Sequence, residues 1–175
     1  MKNLIYKDGN LLLAKDVDVI GHQANCQNTF GSGIAKSIRE MYPMAYDADT
    51  KAAKNKTNVL GNFSATAIES PFANIKGIFN LYGQNLGTDH SKLYNRKTDY
   101  EALFTALEKM AATLAHDLFN PLTFEKAYVG GSYSVGFPYN MGSALGGGSW
   151  DVVSRLIEVA FDKYPSDVII YKFQP

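Results

Sequence analysis

Apolar residues along this chain follow two rhythms that take turns. Short runs with strand character fall at residues 4–7, 17–20, 63–68, 78–82, 126–129 and 167–173, several of them bounded by turn-forming residues such as Asp8-Gly9-Asn10 and Ser70-Pro71. Between them, apolar side chains recur every three or four positions. After Gly33, residues Ile34, Ile38 and Met41 share a helical face until Pro43, which pushes its predecessor out of helical geometry. A polar helix is expected over residues 45–54. Thr98 and Glu101 have capping-box spacing ahead of a face made by Tyr100, Leu103, Phe104, Leu107, Met110, Ala111 and Leu114. The last helix is predicted over residues 149–163, with Val152, Val153, Leu156, Ile157, Ala160 and Phe161 inward. Leu11–Ala14 reads equally as a helical turn or as an edge strand.

This alternation of strands and helices defines an α/β domain, in which ligands bind where the carboxyl ends of strands meet helix N-termini. Residues 19–37 have that form: an apolar strand, a polar loop from His22 to Asn28, and re-entry into a helix through Gly31-Ser32-Gly33-Ile34. Glycine there lets backbone N–H groups at a helix N-terminus face a phosphate. A second glycine-rich turn, Gly142 to Gly148, precedes the last helix, so a ligand with two phosphates fits the pair. Neither turn matches a P-loop or a dinucleotide fingerprint, because Ala35 and Lys36 stand where those motifs need glycine. A plain tight turn remains the alternative for Gly31–Gly33. The long polar segment 83–97, carrying Asp89, His90, Tyr94 and Arg96, has the length of a functional loop.

Composition narrows the partners. Seventeen basic and seventeen acidic side chains cancel among 175 residues, so no nucleic-acid or membrane surface is indicated and phosphate binding falls to backbone dipoles. Cys26 is the single cysteine, which excludes an internal disulfide, and no apolar run approaches a membrane span. With no signal-peptide core at its start, the chain is expected to be cytoplasmic, a single domain over residues 1–175 and a monomer. The three histidines and one cysteine have no metal-ligand spacing, and neither a metal nor a cofactor is expected.

Read together, these segments resemble the macrodomain family of ADP-ribose binders. Val19-Ile20-Gly21-His22-Gln23-Ala24-Asn25 followed by Gly31-Ser32-Gly33-Ile34-Ala35 is similar to its strand and first glycine loop. Lys7-Asp8-Gly9-Asn10-Leu11 resembles an early element of the family, residues 138–150 its second phosphate loop, and residues 168–171 its closing strand. The resemblance implies a three-layer α/β/α fold with a mixed central sheet and ADP-ribose, or a derivative, along its crest. Gly9, Asn10 and Leu11 would then lie by the adenine and Asn25 by the distal ribose. Gly31, Ser32, Gly33 and Ile34 would face one side of the diphosphate, and Ser143, Ala144, Leu145, Gly146 and Gly147 the other. Trp150 is expected to pack behind that second loop.

Within the family, one branch uses a lysine and an aspartate that align near Gln84 and Gly146, which cannot perform that chemistry. His22, Gly9-Asn10-Leu11 and Tyr42-Pro43 instead resemble fungal-type ADP-ribose 1''-phosphate phosphatases. A phosphate on the anomeric carbon needs a proton donor for the leaving oxygen, and histidine titrates in the right range. The expected catalytic set is His22 and Asn25 with Asp89 as the carboxylate that orients the histidine or activates water, acting without a metal. The alternatives are a non-catalytic ADP-ribose reader and a substrate-assisted hydrolase of ADP-ribosylated protein.

Overall fold

The computed structural model describes residues 1–86, 96–115 and 133–175. Its strands are β1 (Leu4–Asp8), β2 (Val19–Asn25), β3 (Phe63–Ala67), β4 (Gly77–Gln84), β5 (Val135–Pro138) and β6 (Val168–Lys172). They form one sheet in the order β1-β6-β5-β2-β4-β3. Only β3 runs antiparallel to its neighbour, so the sheet is mixed and the carboxyl ends of the other five strands share one crest. The helices are α1 (Gly33–Met41), α2 (Pro43–Lys54), α3 (Tyr100–Ala115) and α4 (Trp150–Ala160).

Each face of the sheet has its own core. On one side Val19, Leu81 and Phe137 pack with Leu103, Leu107 and Met110 of α3 and with Val153 and Ile157 of α4. On the other, Ile20, Ala24, Ile78 and Tyr82 pack with Ile38 of α1, Ala45 and Ala52 of α2, and the Leu11–Leu13 3-10 turn. With both faces covered, β4 reads Gly-Ile-Phe-Asn-Leu-Tyr-Gly-Gln and is buried through Gly83, as parallel strands between two helix layers must be. The three-layer expectation holds.

At four places the structure corrects, completes or decides the local reading. First, β2 does not open into a loop at His22. Its backbone stays paired with β4 through Asn25, so polar residues 22–25 belong to a central strand. Second, Val135–Pro138 is a strand between β2 and β6, although its glycine and proline punctuate like a loop. Third, Leu11–Leu13 resolves as a 3-10 turn capped by the Asn10 side chain, which accepts from Leu12 N at 2.9 Å. Fourth, the cap of α3 is Asp99, whose Oδ1 accepts from Ala102 N at 3.0 Å, and the Thr98 hydroxyl points elsewhere. The strand expected over residues 126–129 lies outside the described residues, as do Asp89, His90 and His116.

Candidate functional site

The first glycine loop opens the N-terminus of α1 to solvent. Ser32 is its N-cap in extended conformation and makes no side-chain cap bond, and no acidic residue sits in the first turn. The first N–H groups of a helix have no intrahelical acceptor, and the helix dipole adds partial positive charge there. A side chain built at Gly31 or Gly33 would meet nothing within 4 Å, so these glycines face open space. Gly33 has φ +56°, a left-handed conformation that a Cβ disfavours. This end of α1 can hold an anion.

Asn25 closes β2 beside that loop. Its Nδ2 donates to Thr29 O at 2.9 Å and Thr29 Oγ1 at 2.8 Å, while Oδ1 accepts from Gln27 N at 3.0 Å. The side chain therefore shapes the 26–29 turn that leads into the glycines. At the other end of the crest, Gly9 N donates to Lys172 O at 2.9 Å, and half-buried Asn10 starts the 3-10 turn in which Leu11 is buried. Asn10 follows β1 at one edge of the crest, and Asn25 ends β2 three strands further in.

The second glycine loop lies over α3's N-terminus. Gly148 N donates to Gly142 O at 2.9 Å and closes the loop on itself. Gly146 O accepts from Lys97 N at 2.9 Å and from Thr98 N at 3.0 Å. Ser149 N donates to the Tyr100 hydroxyl at 2.7 Å. Trp150 is half-buried edge-to-face with Tyr139, ring centres 5.0 Å apart, which fits the packing role expected of it. Gly142 to Gly146 stand over Gln23, a crest residue that sequence reasoning did not single out. Gln23 Nε2 donates to Gln84 Oε1 at 3.0 Å and to Thr98 Oγ1 at 2.9 Å. Strand alternation could have flagged it, since Gln23 shares the face of Val19 two pairs away.

His22 faces the opposite side of β2. Its exposure is 0%, and its ring packs edge-on to Phe30 with centroids 5.3 Å apart. Nε2 lies 2.7 Å from Asn80 Oδ1. Asn80 spends its amide hydrogens on Ala45 O (2.8 Å) and Ser64 Oγ (2.9 Å), so its Oδ1 is the acceptor and His22 Nε2 carries the proton. Nδ1 is then an enclosed acceptor with no hydrogen-bond partner. Burial pushes the imidazole down to about 4, the Asn80 bond opposing part of that, and the ring is neutral at pH 7. His22 is thus enclosed against Phe30, the residue before the first glycine loop, and presents no atom to the surface.

Two neighbouring groups are equally quiet. Burial, together with the Asp49 carboxylate, pushes the Cys26 thiol up to about 11. Asp49 is fully buried in α2 with Oδ1 accepting from the Tyr82 hydroxyl at 2.6 Å, and its Oδ2 has no partner. No group of three or more His, Cys, Asp or Glu residues among the described residues could hold a metal ion. No described helix is long and apolar enough to cross a membrane. A separate cleft of about 580 Å³ is lined by residues 68–71 and 73–76, where the chain enters β4. Its Ser70 hydroxyl already accepts from the N–H groups of Phe72 and Ala73.

Solved structures on which this mixed sheet between two helix layers superposes are macrodomains, so the chain has the macrodomain fold. The macrodomain of Mycobacterium tuberculosis DarG superposes with a TM-score of 0.73 at 22% identity, over 98% of each chain. Thermosipho africanus DarTG in complex with ADP-ribose superposes with a TM-score of 0.67 at 16% identity, over 90% of this chain and 38% of that one. Among curated proteins, an uncharacterised 17.5 kDa protein from the tk-vs intergenic region of Enterobacteria phage T4 is 23% identical over 158 residues, 89% of this chain and 86% of that protein. No protein-family model matches the sequence.

Proposed function

We propose that this chain binds ADP-ribose along the crest of its sheet. The observation that carries the reading is the bare N-terminus of α1: an N-cap without a side-chain bond, glycines facing open space and no competing carboxylate in the first turn. Backbone N–H groups there favour a diphosphate without any basic side chain, in keeping with a net charge of zero. The second glycine loop supplies the opposite wall, Gly9, Asn10 and Leu11 the adenine end, and Asn25 the distal ribose end. The ADP-ribose complex of the T. africanus protein, which shares the fold, supports the same ligand.

Hydrolysis of ADP-ribose 1''-phosphate is the enzymatic extension of this reading. It needs a proton donor beside the leaving oxygen. His22 is enclosed, neutral and committed to Asn80, a geometry that supports a packing role, and Asp89 lies outside the described residues. Binding without turnover is therefore the form of the proposal that the described residues support best. Calorimetric titration with ADP-ribose, followed by a phosphate-release assay on the 1''-phosphate, tests both levels. Saturable 1:1 binding with no phosphate released is the expected result; catalytic phosphate release would restore the phosphatase reading, and no binding would end both.

A further inference from the structure

We propose that Thr98 is the positioning residue that sets the second glycine loop in place. Its sequence position suggests a helix cap, yet Asp99 caps α3 and leaves the Thr98 hydroxyl unneeded there. That hydroxyl is fully buried and uses both of its capacities across the crest: it accepts from Gln23 Nε2 at 2.9 Å and donates to Gly142 O at 2.7 Å. Its backbone N–H holds Gly146 O at 3.0 Å. One residue thus grips the loop at both ends, and Gln23 ties that grip to Gln84 at the end of β4.

The glycines of this loop answer to the same contact. A Cβ at Gly146 would lie 2.3 Å from Thr98 Oγ1 and 2.7 Å from Gly142 O, so no larger residue fits while the hydroxyl stays where it is. The two glycine loops therefore differ in kind. The first has glycines that face open space, and the second has glycines that let the loop close on Thr98. Gly148 N bonding back to Gly142 O completes the closure, and Ala144 and Leu145 then stand at the exposed tip with N–H groups that donate to no acceptor among the described residues.

This inference rests on the ADP-ribose reading for its consequence, since a loop held by Thr98 is one wall of the diphosphate site. The test uses Thr98→Val, which keeps the shape and removes both hydrogen bonds, beside Thr98→Ser, which keeps the hydroxyl. Calorimetry with ADP-ribose is expected to show binding at least tenfold weaker in the valine variant and within threefold of wild type in the serine variant. Amide spectra of the free proteins are expected to show changes at residues 142–148 in the valine variant that serine reverses, with the β6 amides unmoved. Wild-type affinity in Thr98→Val, or equal weakness in both variants, overturns the proposal. If wild type itself does not bind ADP-ribose, the ligand reading fails alone and the amide shifts decide: displaced in valine and restored in serine supports positioning by Thr98, unmoved overturns it. Should the valine variant not yield folded protein, Thr98→Ala removes the hydroxyl without setting a methyl group against the Gly142 carbonyl and carries the same expectations.

Discussion

The His22 Nε2–H donates to Asn80 Oδ1 across 2.7 Å, and both side chains are wholly enclosed between the sheet and the α1–α2 layer. From Asn80 the polar contacts continue to Ser64 Oγ, whose own hydrogen goes to the Tyr82 hydroxyl oxygen 2.8 Å away, and Tyr82 in turn donates to Asp49. A histidine at the end of an apolar run is thus the first member of a buried network that ties β2, β3, β4 and α2 together. Replacing it with alanine leaves a cavity and an unsatisfied Asn80 carbonyl. His22→Ala is expected to lose about 2–4 kcal/mol of stability in urea unfolding, from the cavity and the broken bond together. Its ADP-ribose affinity is expected to stay within threefold of wild type.

The same burial gives stability a defined pH dependence. The unfolded histidine titrates near 6.5 and the folded one at about 4, so between those values the unfolded chain binds a proton that the folded chain refuses. Stability contributed at His22 is complete above pH 6.5 and is lost as the pH falls toward about 4, by up to about 3 kcal/mol. His22→Gln offers Asn80 a donor that does not titrate. Urea unfolding from pH 7 to 4 should show a shallower fall for this variant than for wild type.

Asp49 acts in the opposite sense. Burial raises its carboxyl above the usual 3.8, the Tyr82 hydrogen bond opposing, so the folded state holds the proton more tightly than the unfolded chain. Stability tied to this group falls as the pH rises from 3.8 through the raised value and is level above it. Asp49→Asn keeps an acceptor for the Tyr82 hydroxyl and cannot ionise. Unfolding of this variant is expected to lack that component, so that its stability gains relative to wild type as the pH increases from 4 to 7.

Cys26 supplies a chemical check on the environment beneath the first loop. With the thiol pushed up to about 11, the thiolate fraction at pH 7.5 is roughly a hundredfold below that of an ordinary cysteine. Reaction with a disulfide reagent in native conditions should be correspondingly slow and should rise to the rate of a free thiol in denaturant. A fast native reaction would mean that the Cys26 pocket is open and its thiol unperturbed.

What the sequence made legible follows from local physics. Periodicity located all four described helices within a few residues, and Pro43 marks the break between α1 and α2 where it was expected. It failed where pairing overrode local character. Polar His22–Asn25 is strand because β4 runs alongside it through Gln84, and Val135–Pro138 is strand because β2 and β6 flank a segment of only four residues. The glycine loops were recognisable as loops, yet their difference was not. Open space around Gly33 and a hydroxyl against Gly146 are tertiary facts, and Thr98, 48 positions before Gly146, looks in sequence like a cap. Candidate site residues at Asn10, Asn25 and Gly31–Ile34 do lie at the crest, whereas His22 sits one layer beneath it.

The central claim is that the crest, with its two glycine loops, is where ADP-ribose binds. Titrating isotope-labelled protein with ADP-ribose and following backbone amides tests it most directly. Saturable shifts are expected at Gly31–Ile34, at Ser143–Gly147 and beside Asn10 and Asn25, with the amides of the cleft at residues 68–76 unmoved. Shifts confined to that cleft, or no saturable shift at either glycine loop, would contradict the account.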